Sequence, residues 1–516
     1  MKTWLEEKLG LSRPHQIAAA GIVCLYLIAA LGCALTQRPW CDEAWFSSPA
    51  LSLITRGYMG TPVLDPTSRW IPLPGIDRYT YWIMPLHPLS QVPWYKIFGF
   101  GLLQMRVFSI FWGLVALASW FQIMKRLSGL TNLALLTTAL LAIDYTLTHS
   151  SSEGRPDTMS MALAFAGIAV YLSLREKNIA RAVLLSHCAV AASFFTHPNG
   201  LMGFTGLMFL MFYFDRQRIR FKHLVLGAVP YLFAGLCWGL YILQAPEIFK
   251  AQFSGNGAGR TRGLTDPLWA LRTEFIDRYL EFYAGLGSNL TFLHRFKVVV
   301  LITYVIGIVG AISVRAIRQH RGYRALLILT LIYLLMMTFL DGHKQPMYLL
   351  HIVPLYAAIL AVWIHWCWEN HFVPRMILGA GLLAFIAVQL GAVAVVVRRD
   401  TYGKTYKPTI AFIKQTIPAN ASIIASSELG FDLGFFGNLT DDLRLGYVNG
   451  KTPDYIVVDS VYEEWFQIYS VTDPANYEFI RNRLASEYRP IFNNPPYTIY
   501  MRRAPASGSD VTKTAP

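Results

Sequence analysis

Two carboxylates, Asp42 and Glu43, stand side by side in "RPWCDEAWF", a few residues after a long apolar run. Ionisable side chains recur at the ends of later apolar runs: His87, Arg106, the set Glu153, Arg155 and Asp157, then His197, and finally Asp341, His343 and Lys344. Arg and Lys hold phosphate through charge-assisted hydrogen bonds and stabilise negative charge growing on a phosphate leaving group. A carboxylate within reach of a hydroxyl can take its proton, worth ~10²–10⁴-fold in rate. A free Asp ionises near ~3.9, low for a base at neutral pH, but an adjacent acid and partial burial both raise that value. These residue types suit transfer of a group from a lipid phosphate to a hydroxyl or amine.

The elements that must position them are membrane helices. Of 516 residues, 54% are apolar and 15% charged, where a soluble chain of this length carries about 25% charge. Apolar stretches of about twenty residues dominate the first four hundred positions, the signature of a polytopic helical membrane protein. Eleven spans are predicted, at 16–36, 106–124, 130–148, 157–174, 181–196, 200–214, 223–244, 297–314, 324–341, 348–367 and 374–397. "THPNG" (Thr196–Gly200) splits the fifth from the sixth, because Pro198 and Gly200 favour a turn. "PLHPLSQVPWYKIFGFG" is apolar but broken by Pro88 and Pro93, which suits helices lying at the interface rather than a crossing.

The formal charge is +14, but it sits in short links between apolar runs, which argues for membrane orientation and against nucleic acid. With the N-terminus inside, the inner links hold Lys2, Lys8 and Arg13; Lys125 and Arg126; Arg175, Lys177 and Arg181; Arg216, Arg218, Arg220 and Lys222; Arg315, Arg318, Arg321 and Arg324; and Arg375. The short outer links hold only Arg155 and Lys344. The positive-inside rule then places Asp42, Glu43 and the C-terminal segment outside the cytoplasm of a multi-pass plasma or inner membrane protein. The six cysteines show neither a disulfide framework nor metal-ligand spacing.

The expected organisation is a transmembrane domain over 1–397, with an outer loop at 37–105 and a second at 245–296 that contains the flexible and basic stretch "FSGNGAGRTRGL". A small α/β domain follows over 398–503, with helices in "KPTIAFIKQTI" and "ANYEFIRNRLASEY" and strands in "ASIIASS", "DYIVVDS" and "YTIYMRR". Residues 504–516 have a disordered composition. Glycosylation-type triplets begin at Asn289, Asn420 and Asn438.

Taken singly, each polar feature has a plain reading: a charge at a span end snorkels to the headgroups, and "EGRPD" starts a helix. Together, acids and cations gather on one face while the span interiors stay nearly free of charge. A proton-driven transporter would instead place ionisable groups near mid-membrane.

At these residues the chain resembles the GT-C membrane glycosyltransferases, in the branch of the dolichyl-phosphate-mannose protein O-mannosyltransferases and the aminoarabinose transferase of lipid A. The resemblance runs from about Trp40 to Leu360. It rests on the acidic pair Asp42–Glu43, the partial "HPP" at His87-Pro88-Leu89, Arg106 opening the next span, Ser152 to Asp157, and Lys344, Tyr348 and Pro354 in order. The chain departs from that pattern at "HPL" and at His197-Pro198-Asn199-Gly200. The resemblance implies an inverting transfer from a polyprenyl-phosphate-linked sugar to a lipid, glycan or protein acceptor. Asp42 is then the base, assisted by Glu43, and Arg106, Arg155, Lys344 and His343 meet the lipid phosphate. Asp157, His87, His197 and Tyr348 line the substrate pocket. Carboxylates near a phosphate can hold Mg²⁺ or Mn²⁺, although the resemblance calls for neither. Rival readings are a flippase or transporter of lipid-linked sugars, and a ligase or polymerase using lipid-diphosphate-linked glycans.

Overall fold

The computed structural model describes residues 12–67, 72–257, 260–287 and 292–504. Asn289 and all but the first residue of the expected tail lie outside them. All eleven apolar runs form helices: α1 (Arg13–Thr36), α2 (Leu102–Ser128), α3 (Thr131–Ile143), α4 (Pro156–Leu174), α5 (Ile179–Thr196), α6 (Gly200–Asp215), α7 (Phe221–Ile242), α8 (Val298–Ser313), α9 (Arg321–Leu340), α10 (Val353–Glu369) and α11 (Arg375–Arg399). Eight are long and apolar enough to cross a bilayer, counting the turn that leads into α8 and the helical residues that continue α11. The chain is an integral membrane protein. The other three, α3, α6 and α10, have 13, 16 and 17 residues. At 1.5 Å per residue they reach about 20–26 Å, short of the ~30 Å hydrocarbon core.

The predicted third span is interrupted. Helix α3 ends at Ile143, and Asp144 caps a new helix, Tyr145–Ser152, by accepting from the Leu147 N–H at 3.1 Å. Asp144 is fully buried, and its Oδ2 also accepts from the Tyr304 hydroxyl and the Gln389 amide, each at 2.8 Å. Asp144 is an exception to the expectation of span interiors nearly free of charge. A lone acid in an apolar run is tolerated because two donors from distant segments converge on it beside the Leu147 N–H of its own turn. The stretch expected at the interface holds one helix, Leu86–Phe98, whose 13 residues reach about 20 Å. The stretch 245–296, expected as the second outer loop, is largely helical, including Pro246–Gly257 and an eleven-residue π-helix, Thr273–Tyr283.

The chain forms two compact units that do not follow chain order. The first comprises residues up to Gln37, Ile83–Pro246 and Gly257–Arg399. Its core is a contiguous apolar cluster from α1 to α11, with Trp120 and Phe165 rings 4.7 Å apart and Tyr26, Met161, Tyr333 and Leu355 fully buried.

The second unit assembles Arg38–Trp82, Glu247–Asn256 and the chain from Asp400 onward. Its five-stranded sheet has the order β2-β1-β3-β5-β4, with β1 Ile423–Ile424, β2 Leu439–Thr440, β3 Tyr455–Val458, β4 Tyr488–Asn494 and β5 Tyr497–Arg502. β1 runs parallel to β2 and β3, while β5 runs antiparallel to β3 and β4. Helices Lys407–Thr416 and Pro474–Ser486 form where the sequence predicts them, as do β1, β3 and β5. The sequence reading missed β2, β4 and helix Ser460–Thr472, the first two because they lack alternation. Ile424, Ile456, Val458, Tyr462 and Tyr488 form the core. Gln252 ties its segment in: its amide donates to the carbonyls of Pro74 and Tyr79 at 2.8 and 3.0 Å, and its oxygen accepts from the Tyr81 N–H at 2.8 Å.

Candidate active site

In the second unit, helix Cys41–Arg56 carries the acidic pair in its first turn, where carboxylates meet the positive end of the helix dipole. The two acids differ. Glu43 is fully buried, and its Oε2 accepts from the backbone N–H of Trp40 at 2.9 Å, which caps the helix. Asp42 is half-buried, one residue earlier on the turn.

Further buried acids that sequence reasoning missed lie in the same unit. Glu428 accepts from the Tyr497 hydroxyl and faces Arg38 at 3.8 Å. Its burial and the charge of Asp459 push its carboxyl up to about 8, against the pull of Arg38. Asp459, also raised by burial, to about 6, caps helix Ser460–Thr472 through the N–H groups of Val461 and Tyr462, each at 3.0 Å. Asp441 accepts from Trp45 Nε1 at 3.3 Å and from the Tyr462 hydroxyl at 3.2 Å. No sequence signal marks Glu428 or Asp459; the first sits in a single 3₁₀ turn, Ser427–Leu429, and the second just after strand β3.

In the first unit, a polar cluster forms where the start of α4 meets the α5–α6 turn. Pro156 at the first helical position leaves Arg155 extended, and Asp157 falls in the first turn. Arg155 Nε donates to Asp157 Oδ2 at 2.9 Å. Asp157 Oδ1 lies 3.8 Å from Nε2 of His197. The turn after α5 holds that imidazole in place: Nδ1 of His197 accepts from the Asn199 N–H at 3.2 Å. Gly200 is required there, since a Cβ would stand 2.4 Å from the backbone nitrogen of Phe194. The ring of Tyr348 lies 5.1 Å from that of His197, and His351 lies 6.4 Å away in near-stacked orientation. Asp157, His197 and His351 each offer one donor atom within 4.8 Å of the others, so these are the residues a metal ion could use. His351 was not among the expected site residues, being unremarkable in "LLHIVP".

The remaining expected residues have partners of their own. Arg106 Nη1 donates to the carbonyls of Ala34 and Gln37 at 2.6 and 2.8 Å, capping the end of α1. Lys344 Nζ donates to Glu274 Oε2 at 2.7 Å and to the carbonyls of Met337 and Thr338 at 2.9 and 2.5 Å. Arg278 joins this buried network through both Glu274 oxygens and through Asp341. An ammonium has three N–H donors, so Lys344 spends all of them inside the protein. The ring of His87 lies buried 6.0 Å from that of Phe108, and His343 is half-buried.

A sequence model of the family described as dolichyl-phosphate-mannose-protein mannosyltransferase matches residues 85–240. ArnT of Cupriavidus metallidurans, in its crystal structure with undecaprenyl phosphate, superposes with a TM-score of 0.56 at 14% identity, over 95% of this chain and 98% of that one. Its ligand-free structure gives 0.57 at 15% identity, over 94% and 98%. The oligosaccharyltransferase AglB of Archaeoglobus fulgidus, in complex with an inhibitory peptide and a dolichol phosphate, gives 0.53 at 11% identity, over 98% of this chain and 76% of that one. No curated protein sequence matches the chain. The fold is the one seen in ArnT and AglB.

Proposed function

We propose that this chain, a membrane glycosyltransferase of the GT-C superfamily in the protein O-mannosyltransferase and ArnT branch, transfers a sugar from a polyprenyl-phosphate carrier to an acceptor hydroxyl or amine on the extracytoplasmic face. The observation that carries the reading is that the family-matched segment, 85–240, contains His87, Arg106 and the buried cluster Arg155, Asp157 and His197. A similar fold is seen with undecaprenyl phosphate in ArnT and with a dolichol phosphate in AglB, which supports a lipid monophosphate as the carrier.

The reaction is a single displacement with inversion. The acceptor oxygen or nitrogen bonds to the anomeric carbon, the bond from that carbon to the phosphate oxygen breaks, and the acceptor proton passes to a carboxylate. Asp42 is the base in this reading, because it is the acid of the pair with open surface, while Glu43 is fully buried and engaged in capping. Arg106, Arg155, Lys344 and His343 supply the positive field for the departing phosphate. Lys344 acts at one remove, since its donors are already committed. Asp157, His87, His197 and Tyr348 line the substrate pocket. The acceptor is a lipid, a glycan or a protein.

The test incubates purified full-length protein with radiolabelled undecaprenyl-phosphate and dolichyl-phosphate sugars and a membrane extract. Transfer that disappears in Asp42→Asn is the expected result. Lipid-linked sugar movement across vesicles that persists in Asp42→Asn would favour the transporter reading instead.

A further inference from the structure

We infer that Asp157, His197 and His351 form a cradle for one hydroxyl group of a sugar, and that this cradle, not a metal centre, reads the substrate; the inference deepens the functional reading above and rests on it for the word sugar. All three side chains are buried, at 1%, 7% and 1% exposure. Two atoms of this cluster, Asp157 Oδ1 and His351 Nε2, have no hydrogen-bond partner among the described residues. Buried polar atoms in that state call for a ligand or an ordered water, because leaving them unpaired costs about 1–3 kcal/mol each.

The distances leave room for a hydrogen-bonded oxygen. Three points no more than 4.8 Å apart admit a central atom at about 2.8 Å or less from each, a range that includes the length of a hydrogen bond to oxygen. A divalent transition ion needs its N and O donors at about 2.0–2.2 Å, hence roughly 3.4 Å from one another in a tetrahedral set. The Asp157–His197 pair is already 3.8 Å apart. The proton pattern agrees. Nδ1 of His197 accepts from the Asn199 N–H, so the neutral ring carries its proton on Nε2, the atom facing Asp157, where a metal would need a lone pair.

A hydroxyl fits this set. Its proton goes to Asp157 Oδ1, and its oxygen accepts from His197 Nε2–H and from His351 Nε2–H, filling one donor and two acceptor positions. A bare phosphate oxygen has no proton for Asp157 and would meet it as a like charge, so the cradle favours the sugar over the lipid phosphate.

The test measures binding to full-length protein in nanodiscs, without turnover. The probes are undecaprenyl-phosphate mannose and glucose, their monodeoxy forms, free methyl glycosides of both series, and bare undecaprenyl phosphate. Loss of one particular hydroxyl should weaken binding about 10-fold or more in the natural protein, and less than 2-fold in His351→Leu. His351→Gln, which keeps an N–H donor and guards against misfolding, should retain part of the discrimination. Coupling in the lipid series assigns the hydroxyl to the donor sugar, and coupling in the free glycosides assigns it to the acceptor. Bare undecaprenyl phosphate should bind all variants alike. The proposal falls if no hydroxyl in any series couples to His351, if bare lipid phosphate loses affinity as much as the sugar lipids do, or if elemental analysis finds one equivalent of transition metal that His351→Leu removes. A chain that bound sugars this way yet transferred none would sink the proposed function and leave the cradle standing.

Discussion

Lys344 donates to Glu274 across 2.7 Å inside the protein, joining the loop after α9 to the π-helix Thr273–Tyr283. The pair belongs to a four-charge network in which Arg278 holds both Glu274 and Asp341. A lysine that the sequence offers as a phosphate ligand is thereby the tie between two loops.

Lys344→Met should destabilise the first unit by about 3 kcal/mol, the lower end for breaking a buried pair, since Glu274 keeps Arg278. Lys344→Met with Glu274→Gln should recover part of that loss. Denaturation midpoints in detergent measure both. An unchanged midpoint with weakened undecaprenyl phosphate binding would make Lys344 a direct phosphate contact instead.

The two adjacent acids should separate cleanly. Asp42→Asn should lower transfer by ~10²–10⁴-fold, as for loss of a general base, with little change in stability. Glu43→Gln should cost about 1 kcal/mol of stability, the worth of a helix cap, and reduce transfer less. Initial rates and thermal midpoints on the same preparations distinguish them.

Stability of the second unit should fall as pH rises. Glu428 is raised from 4.5 to about 8 and Asp459 from 3.8 to about 6. The folded state therefore holds protons that the unfolded chain has already released, and stability contributed below pH ~4 is lost progressively up to about pH 8. Glu428→Gln should flatten the upper part of this slope. Thermal midpoints across that range, at constant ionic strength, provide the check.

Asp144→Ala should cost about 3 kcal/mol. It strands the Tyr304 hydroxyl and the Gln389 amide and removes the cap of helix Tyr145–Ser152. Asp144→Asn, which keeps the shape and the acceptor oxygen, should cost less. Hydrogen exchange at Leu147 and Thr148 would report the frayed helix directly.

By itself the sequence determined the membrane class, the eleven helices and the ordered polar residues between them. Apolar runs and their charged flanks are local quantities, set by the bilayer and by residues a few positions apart. "THPNG" was legible as a turn for the same reason, because Pro198 and Gly200 act on their own backbone.

Only the tertiary structure decided which of those polar residues are engaged, and with what. Asp42 and Glu43 read alike in the chain, and a single backbone hydrogen bond from Trp40 tells them apart. His351 joins Asp157 and His197, and Glu274 takes Lys344, from segments far along the chain. The second unit likewise gathers three separated stretches. No local period encodes such pairings. They are fixed when burial strips water from a charge and leaves it whichever partner the packed helices bring within hydrogen-bond distance.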